Sequence, residues 1–128
     1  MVSMEEYREI VSGLLDELPA EFFRDLTGGV IVSEDAVIPD YARDSDLYTL
    51  GLYNVFSGVR QVILYKGSFD RVFPLADAAE TRRRMRGILR HEFRHHLESL
   101  GGVHDASSLE AADEMEKRAY LARRGQEK

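Results

Sequence analysis

The amino-acid sequence predicts a small α+β domain, in which a sheet of a few strands packs on one long helix with flanking helices. Three observations favour this class. The length of 128 residues suits one compact domain, so we expect a single domain over residues 1–128. Apolar residues recur at helical spacing towards both ends of the chain, whereas the middle carries short β-branched and aromatic runs bounded by turn residues.

The helices in the first part of the chain are predicted from periodicity and from proline. Between Met4 and Leu18, apolar residues follow one another at spacings of three and four, which is typical of an amphipathic helix docked on a core. Pro19 ends or kinks that helix and can begin a short helix over residues 19–23. A further short helix is expected from Ser68 to Phe73.

The longest helix is predicted over Ala76 to Leu100, because this stretch contains no proline and is followed by Gly101-Gly102. A last helix is expected to begin near Asp105, with Ser107 and Glu110 in the positions of a capping box.

Three strands are predicted in the middle of the chain. The first is Val30 to Val32, the second is Leu47 to Asn54, and the third and clearest is Arg60 to Lys66. A turn over residues 54–58 separates the last two, so we expect them to pair as a hairpin.

Composition and charge exclude several classes of function. A net charge of −6 opposes binding to nucleic-acid backbones, and the arginine run from Arg82 to Arg90 is interpreted as a solvated helix face. The chain has no cysteine, so histidines and carboxylates must bind any metal. No apolar run approaches the roughly 20 residues that span a bilayer, and no secretory signal is visible. We expect a cytoplasmic monomer that binds neither nucleic acid nor membrane.

The segment that carries chemistry is His91-Glu92-Phe93-Arg94-His95, an HExxH motif inside the longest predicted helix. Residues four apart on a helix lie about 40° apart around its axis, so the imidazoles of His91 and His95 can reach one metal ion. Glu92 lies roughly 100° from His91, beside the ligand face, where a general base belongs. The motif therefore predicts a zinc site.

A catalytic zinc ion usually has three protein ligands, so a third donor must come from outside this turn of helix. Asp105 is the first choice, because it follows two glycines at which the chain can reverse. His104 is the close competitor. Glu110 ranks next, together with Glu98 and Asp113.

Other polar residues near the motif are assigned structural roles. His96 lies towards the apolar side of the helix, and we expect it to be partly buried and bonded to a backbone carbonyl instead of a metal. Tyr48, Tyr53 and Tyr65 could each offer a hydroxyl to a developing oxyanion, yet tyrosines in strands usually pack, so none is assigned to the site.

Together these residues predict a zinc metallopeptidase, a hydrolase that binds one zinc ion through His91, His95 and Asp105. Water on the metal would be activated by Glu92, and the substrate would be a peptide or protein. The alternative is a non-catalytic, zinc-stabilised protein-binding module. Three protein ligands plus water favour catalysis, and four protein ligands favour the structural role.

The sequence also resembles the short bacterial zincin-like metallopeptidases called minimal zincins, whose motif is HExxHxxGxxD. Besides the HExxH segment, residues 50–53 are similar to a Gly-Leu-Tyr segment of that family and residues 63–67 to its strand ending in Tyr-Arg/Lys-Gly. Glu98 stands where the motif has glycine, and Gly102-Val103-His104-Asp105 arrives four residues late. The resemblance implies a zincin-like fold with Asp105 as third ligand and an edge strand for extended peptides, here Arg60 to Lys66.

Overall fold

The computed structural model describes residues 1–39 and 47–101. These ranges form three α-helices and three β-strands, so the predicted α+β class is confirmed. No helix within them combines the length and the apolar character that a membrane span requires. In chain order the elements are α1 (Met4–Leu15), a 3-10 helix (Ala20–Phe23), β1 (Gly29–Ser33), β2 (Gly51–Phe56), β3 (Val59–Tyr65), α2 (Lys66–Val72) and α3 (Ala78–Gly101).

The chain divides into two compact units, Met1–His96 and Leu97–Lys128. The sheet, α1, α2 and α3 as far as His96 belong to the first unit. Of the second unit the structure describes residues 97–101, which are the last residues of α3. The expectation of one domain over residues 1–128 therefore stays a prediction.

The three strands form one mixed sheet in the order β1-β3-β2. Strand β1 is parallel to β3, and β2 is antiparallel to it, which confirms the predicted hairpin. The prediction that residues 60–66 form an edge strand was wrong, because β3 lies between the other two strands and pairs on both sides. In the part of the chain that the structure describes, the edge strands of this sheet are β1 and β2.

The hairpin turn is tighter than predicted. Phe56 pairs with Val59, so only Ser57 and Gly58 lie between the strands, with φ angles of 48° and 78°. Two successive residues with positive φ are typical of the turn that matches the twist of a hairpin. Strand β2 consequently continues through residues that the sequence assigned to the turn.

The pairing of β2 with β3 decides which backbone groups of β2 face outward. The amide of Tyr65 donates to the carbonyl of Leu50 at 3.0 Å. Since backbone groups of an antiparallel strand point alternately towards and away from the partner, those of Gly51, Tyr53 and Val55 point away from β3. Within residues 1–39 and 47–101, no other strand of the sheet pairs with this outer edge of β2.

The residues that precede β2 are connected to α2 by hydrogen bonds. The amide of Thr49 donates to the carbonyl of Val37 at 2.7 Å, and the amide of Val37 donates to the buried Oγ of Ser68 at 2.7 Å. These bonds satisfy backbone groups that would otherwise cost free energy, and they fix the point at which β2 begins.

The core lies against one face of the sheet. Val62 and Leu64 of β3 are fully buried, whereas Ile31 of β1 and Leu52 of β2, which pair with Ile63, are exposed at 44% and 39%. This alternation follows from the two-residue period of a strand. The helices contribute most of the other residues of the buried cluster, including Tyr7, Val11, Leu14, Phe69, Met85, Leu89 and Phe93.

The first half of α3 is attached to the end of α1 by ion pairs at the surface. The carboxylate of Glu17 accepts from Arg82 at 2.6 Å and from Arg86 at 3.1 Å. On other sides of the same helix, Arg83 and Arg84 pair with Glu80. The side chains of these pairs are substantially exposed, so the interpretation of the arginine run as a solvated face is confirmed.

Candidate metal centre

The HExxH motif lies on the second half of α3, a helix of 24 residues. Leu89 and Phe93 face the core, at 2% and 1% exposure, and Phe93 packs edge-on against Phe23 with ring centroids 5.3 Å apart. His91 and His95 are partly exposed on another face. The apolar face therefore anchors the helix while the two imidazoles remain accessible, as the helical periodicity predicted.

The two motif histidines lie side by side. Their Nε2 atoms are 3.0 Å apart, and their rings are perpendicular with centroids 4.5 Å apart. This separation allows a hydrogen bond between a protonated and an unprotonated nitrogen. It is also close to the roughly 3.3 Å that separates two nitrogens bound at 2.0–2.1 Å to one tetrahedral zinc ion.

Together with Glu92, these histidines form a group that could hold a metal ion. One ligand atom from each of the three residues lies within 4.8 Å of the other two. Two imidazoles and a carboxylate are donors that suit zinc and other first-row divalent ions. The donor set therefore fits a divalent metal ion.

Glu92 is buried, with 5% of its surface exposed, and strand β2 passes directly beside it. A Cβ atom placed on Gly51 would lie 3.1 Å from Oε2 of Glu92 and 3.1 Å from Cγ2 of Ile88. Only glycine leaves room for the backbone to approach this closely without displacing its neighbours. The first residue of β2 thus forms one wall around the carboxylate.

His96 belongs to a different set of contacts and is completely buried. Its Nε2 lies 2.8 Å from the carbonyl oxygen of Arg24, and its Nδ1 lies 2.8 Å from the hydroxyl of Tyr53. Burial lowers the pKa of His96, and the hydrogen bond to the Arg24 carbonyl partly opposes this shift. The predicted carbonyl bond is confirmed, and the burial is more complete than expected.

The structure places three of the site residues predicted from the sequence next to one another, and it does not describe several of the others. His91, Glu92 and His95 are adjacent as expected. The predicted third ligand Asp105 and its competitor His104 lie outside the described residues, as do Glu110 and Asp113. Glu98 lies on α3 and is partly buried.

Two neighbours of the motif were not identified from sequence. The close approach of Gly51 to Glu92 and the hydrogen bond from Tyr53 to His96 both depend on how β2 lies against α3. The available signal was the Gly-Leu-Tyr resemblance, since Gly51 and Tyr53 are the first and last residues of that segment.

Comparison with known proteins identifies a relative among solved structures. No protein-family model matches the chain, and no curated protein matches it. A conserved hypothetical protein from Thermus thermophilus is 33% identical in sequence and superposes with a TM-score of 0.67. The match covers 96% of this chain and 97% of that chain, so the two are alike over nearly their whole lengths.

Proposed function

The chain belongs to the same family as the conserved hypothetical protein from Thermus thermophilus. Because the description of that relative states no activity, we propose a function from the site itself: zinc-dependent hydrolysis of peptide bonds, with His91 and His95 as metal ligands. The observation that carries this proposal is the group formed by both imidazoles and the Glu92 carboxylate, whose ligand atoms lie within 4.8 Å of one another.

The two histidines are suited to binding and Glu92 to proton transfer. A zinc ion held by His91 and His95 would supply a water of lowered pKa and a Lewis acid for the carbonyl of a substrate. The Glu92 carboxylate would take a proton from the attacking water and deliver it to the leaving amine. Its burial beside Gly51 limits competing contacts with bulk water and holds it next to the imidazoles.

An extended peptide is the substrate class that the neighbouring strand favours. The outward-facing backbone groups of Gly51, Tyr53 and Val55 can pair with an added strand, as in other proteins that bind peptides at a sheet edge. Gly51 is also the residue beside Glu92. A peptide that pairs with β2 would therefore run close to the proposed general base.

The ligands are tested by the zinc content of the full chain after expression with zinc. We expect about one zinc per chain, reduced to background in His91→Ala and His95→Ala, because two imidazoles supply most of the predicted ligand set. Arg94→Ala is the matched control, since Arg94 is exposed and lies between them on the same helix. Asp105→Ala tests the third ligand predicted from sequence.

The catalytic role is tested with Glu92→Gln on a library of unstructured peptides with quenched fluorophores. We expect this variant to keep its zinc and to hydrolyse about 10²–10⁴-fold more slowly, because an amide cannot accept the proton. Undiminished hydrolysis by Glu92→Gln would exclude Glu92 as the base. Absence of zinc from the wild type would exclude the metal site.

A non-catalytic zinc-stabilised module remains the second candidate, because the Glu92 carboxylate is near enough to the imidazoles to be a ligand itself. In that case Glu92→Gln should lose zinc, and the bound ion should have four protein ligands. X-ray absorption at the zinc edge would count these ligands. Removal of zinc by a chelator should then lower thermal stability without affecting any hydrolysis.

A further inference from the structure

Strand β2 contacts helix α3 at two points, and the distance between these points is similar along the strand and along the helix. Gly51 lies beside Glu92, and Tyr53 is hydrogen-bonded to His96. Two residues along a strand advance about 6.6 Å, and four residues along a helix advance about 6 Å. Because these two advances are similar, both contacts can form at once between the strand and the helix.

The His96 ring is held at both nitrogens by different parts of the fold. The Arg24 carbonyl can only accept a hydrogen bond, so Nε2 of His96 carries the proton and donates. In the neutral ring Nδ1 is then an acceptor, and the Tyr53 hydroxyl donates to it. With both nitrogens engaged and the side chain fully buried, His96 cannot turn without breaking a partly buried hydrogen bond.

We propose that Tyr53 and His96 are positioning residues, which fix the rotation of α3 about its axis relative to β2 and thereby aim the His91–His95 pair. The proposal rests on the proposed metal site, because the aim of these imidazoles matters through a ligand or substrate that lies off the helix. Neither Tyr53 nor His96 is assigned a ligand or catalytic role.

The size of the effect follows from helix geometry. Side-chain tips lie about 5–6 Å from a helix axis, so a rotation of about 10° displaces them by about 1 Å. Metal–ligand distances tolerate only about 0.2 Å, and a constellation that is 1 Å too loose loses function. Because His95 adjoins His96, fixing the rotation at His96 controls the ligand face within one residue of it.

The test compares two substitutions that each remove one tyrosine hydroxyl. Tyr53→Phe removes the donor to His96. Tyr7→Phe is the control, because the hydroxyl of Tyr7 also bonds a residue of α3, the Sδ of Met85 at 3.1 Å; Tyr7 is fully buried and Tyr53 is partly buried. Zinc affinity is measured by competition with a chelator, and the visible spectrum of the cobalt-substituted protein reports ligand geometry.

We expect Tyr53→Phe to bind zinc about 10–100-fold more weakly and to change the cobalt spectrum, as loss of residues that orient metal ligands commonly does. Tyr7→Phe should change neither, even where urea unfolding shows an equal loss of stability. Equal affinities and identical spectra in the two variants would overturn the positioning role.

A metal-free measurement separates this proposal from the proposed function. In metal-free protein, the NMR shifts of the His91 and His95 ring nitrogens should move in Tyr53→Phe and stay in place in Tyr7→Phe. If the wild type binds no zinc, the proposed function fails, and these NMR shifts alone test the positioning role of Tyr53 and His96. Equal changes of the shifts in both variants would overturn that role.

A second variant covers the case in which Tyr53→Phe does not fold. Tyr53→Phe combined with His96→Leu replaces both side chains of the hydrogen bond, so neither is left buried without its partner. This double variant should fold, bind zinc weakly and show the altered spectrum. Wild-type affinity in the folded double variant would contradict the proposal.

Discussion

The two halves of α3 are attached to the rest of the first unit in different ways. The first half is linked to the segment that follows α1 by the exposed pairs of Glu17 with Arg82 and Arg86. The second half is held against β2 by the close approach of Gly51 to Glu92 and by the partly buried hydrogen bond of Tyr53 to His96. Of the two halves, the second carries His91 and His95, the candidate metal ligands among the residues that the structure describes.

This difference indicates where the fold must position α3 precisely and where it only has to hold the helix in place. Exposed ion pairs contribute little to stability, are weakened by salt and tolerate movement of long side chains. Buried hydrogen bonds and close packing are directional, and a poor fit costs free energy. The hydrogen bond and the close packing, which are directional, lie beside the candidate site, and the exposed ion pairs lie away from it.

The largest effect is expected from Gly51→Ala, which strains the contact of β2 with α3. The added methyl would lie 3.1 Å from atoms of Glu92 and Ile88, closer than ordinary van der Waals contact. We expect a loss of about 1–3 kcal/mol in the free energy of unfolding, measured by urea denaturation. Zinc content should persist, while the displaced Glu92 should lower any hydrolysis. A variant as stable as the wild type would show that this contact is not tight.

A smaller effect of opposite sign is expected from Gly87→Ala, at an exposed position of the same helix. A methyl at Gly87 meets nothing within 4 Å in the described structure, and its φ needs no glycine. Alanine in a helix interior is favoured over glycine by about 0.8–1.0 kcal/mol, so urea denaturation should show a gain of that size. Together with Gly51→Ala this substitution forms a matched pair, and a loss at both positions would contradict the comparison of the two halves.

The smallest effect is expected from Glu17→Gln, which removes the ion pairs of the first half. Hydrogen bonds from Arg86 lower the pKa of Glu17, and the Arg86 charge and Arg82 lower it further. A lowered pKa in the folded state adds stability above the unfolded pKa of about 4.3, and this contribution disappears as the pH falls through the folded value. Thermal melts should show a slight deficit for the variant at pH 7, which shrinks in acid and in high salt. A deficit that grows in acid would contradict this assignment.

The elements with strong local signals were predicted well. Helix α3 was predicted within two residues at each end, because the stretch lacks proline and ends at glycines. The hairpin was also predicted, but the predicted turn was too long. Val55 and Phe56 belong to β2 because they pair with Arg60 and Val59 of β3. The choice of edge strand was wrong, because strand order depends on contacts between residues distant in sequence.

Sequence by itself determined the candidate metal group and one face of its helix. Four-residue spacing places His91 beside His95 on any α-helix, and the apolar residues of the same helix select the face that is buried. Only the tertiary structure decided that β2 is an edge strand, that its first glycine lies against Glu92 and that Tyr53 is bonded to His96. The physical reason is the range of the interactions. Helical periodicity is a local property, whereas the contact of Tyr53 with His96, 43 residues away in sequence, depends on how the whole core packs.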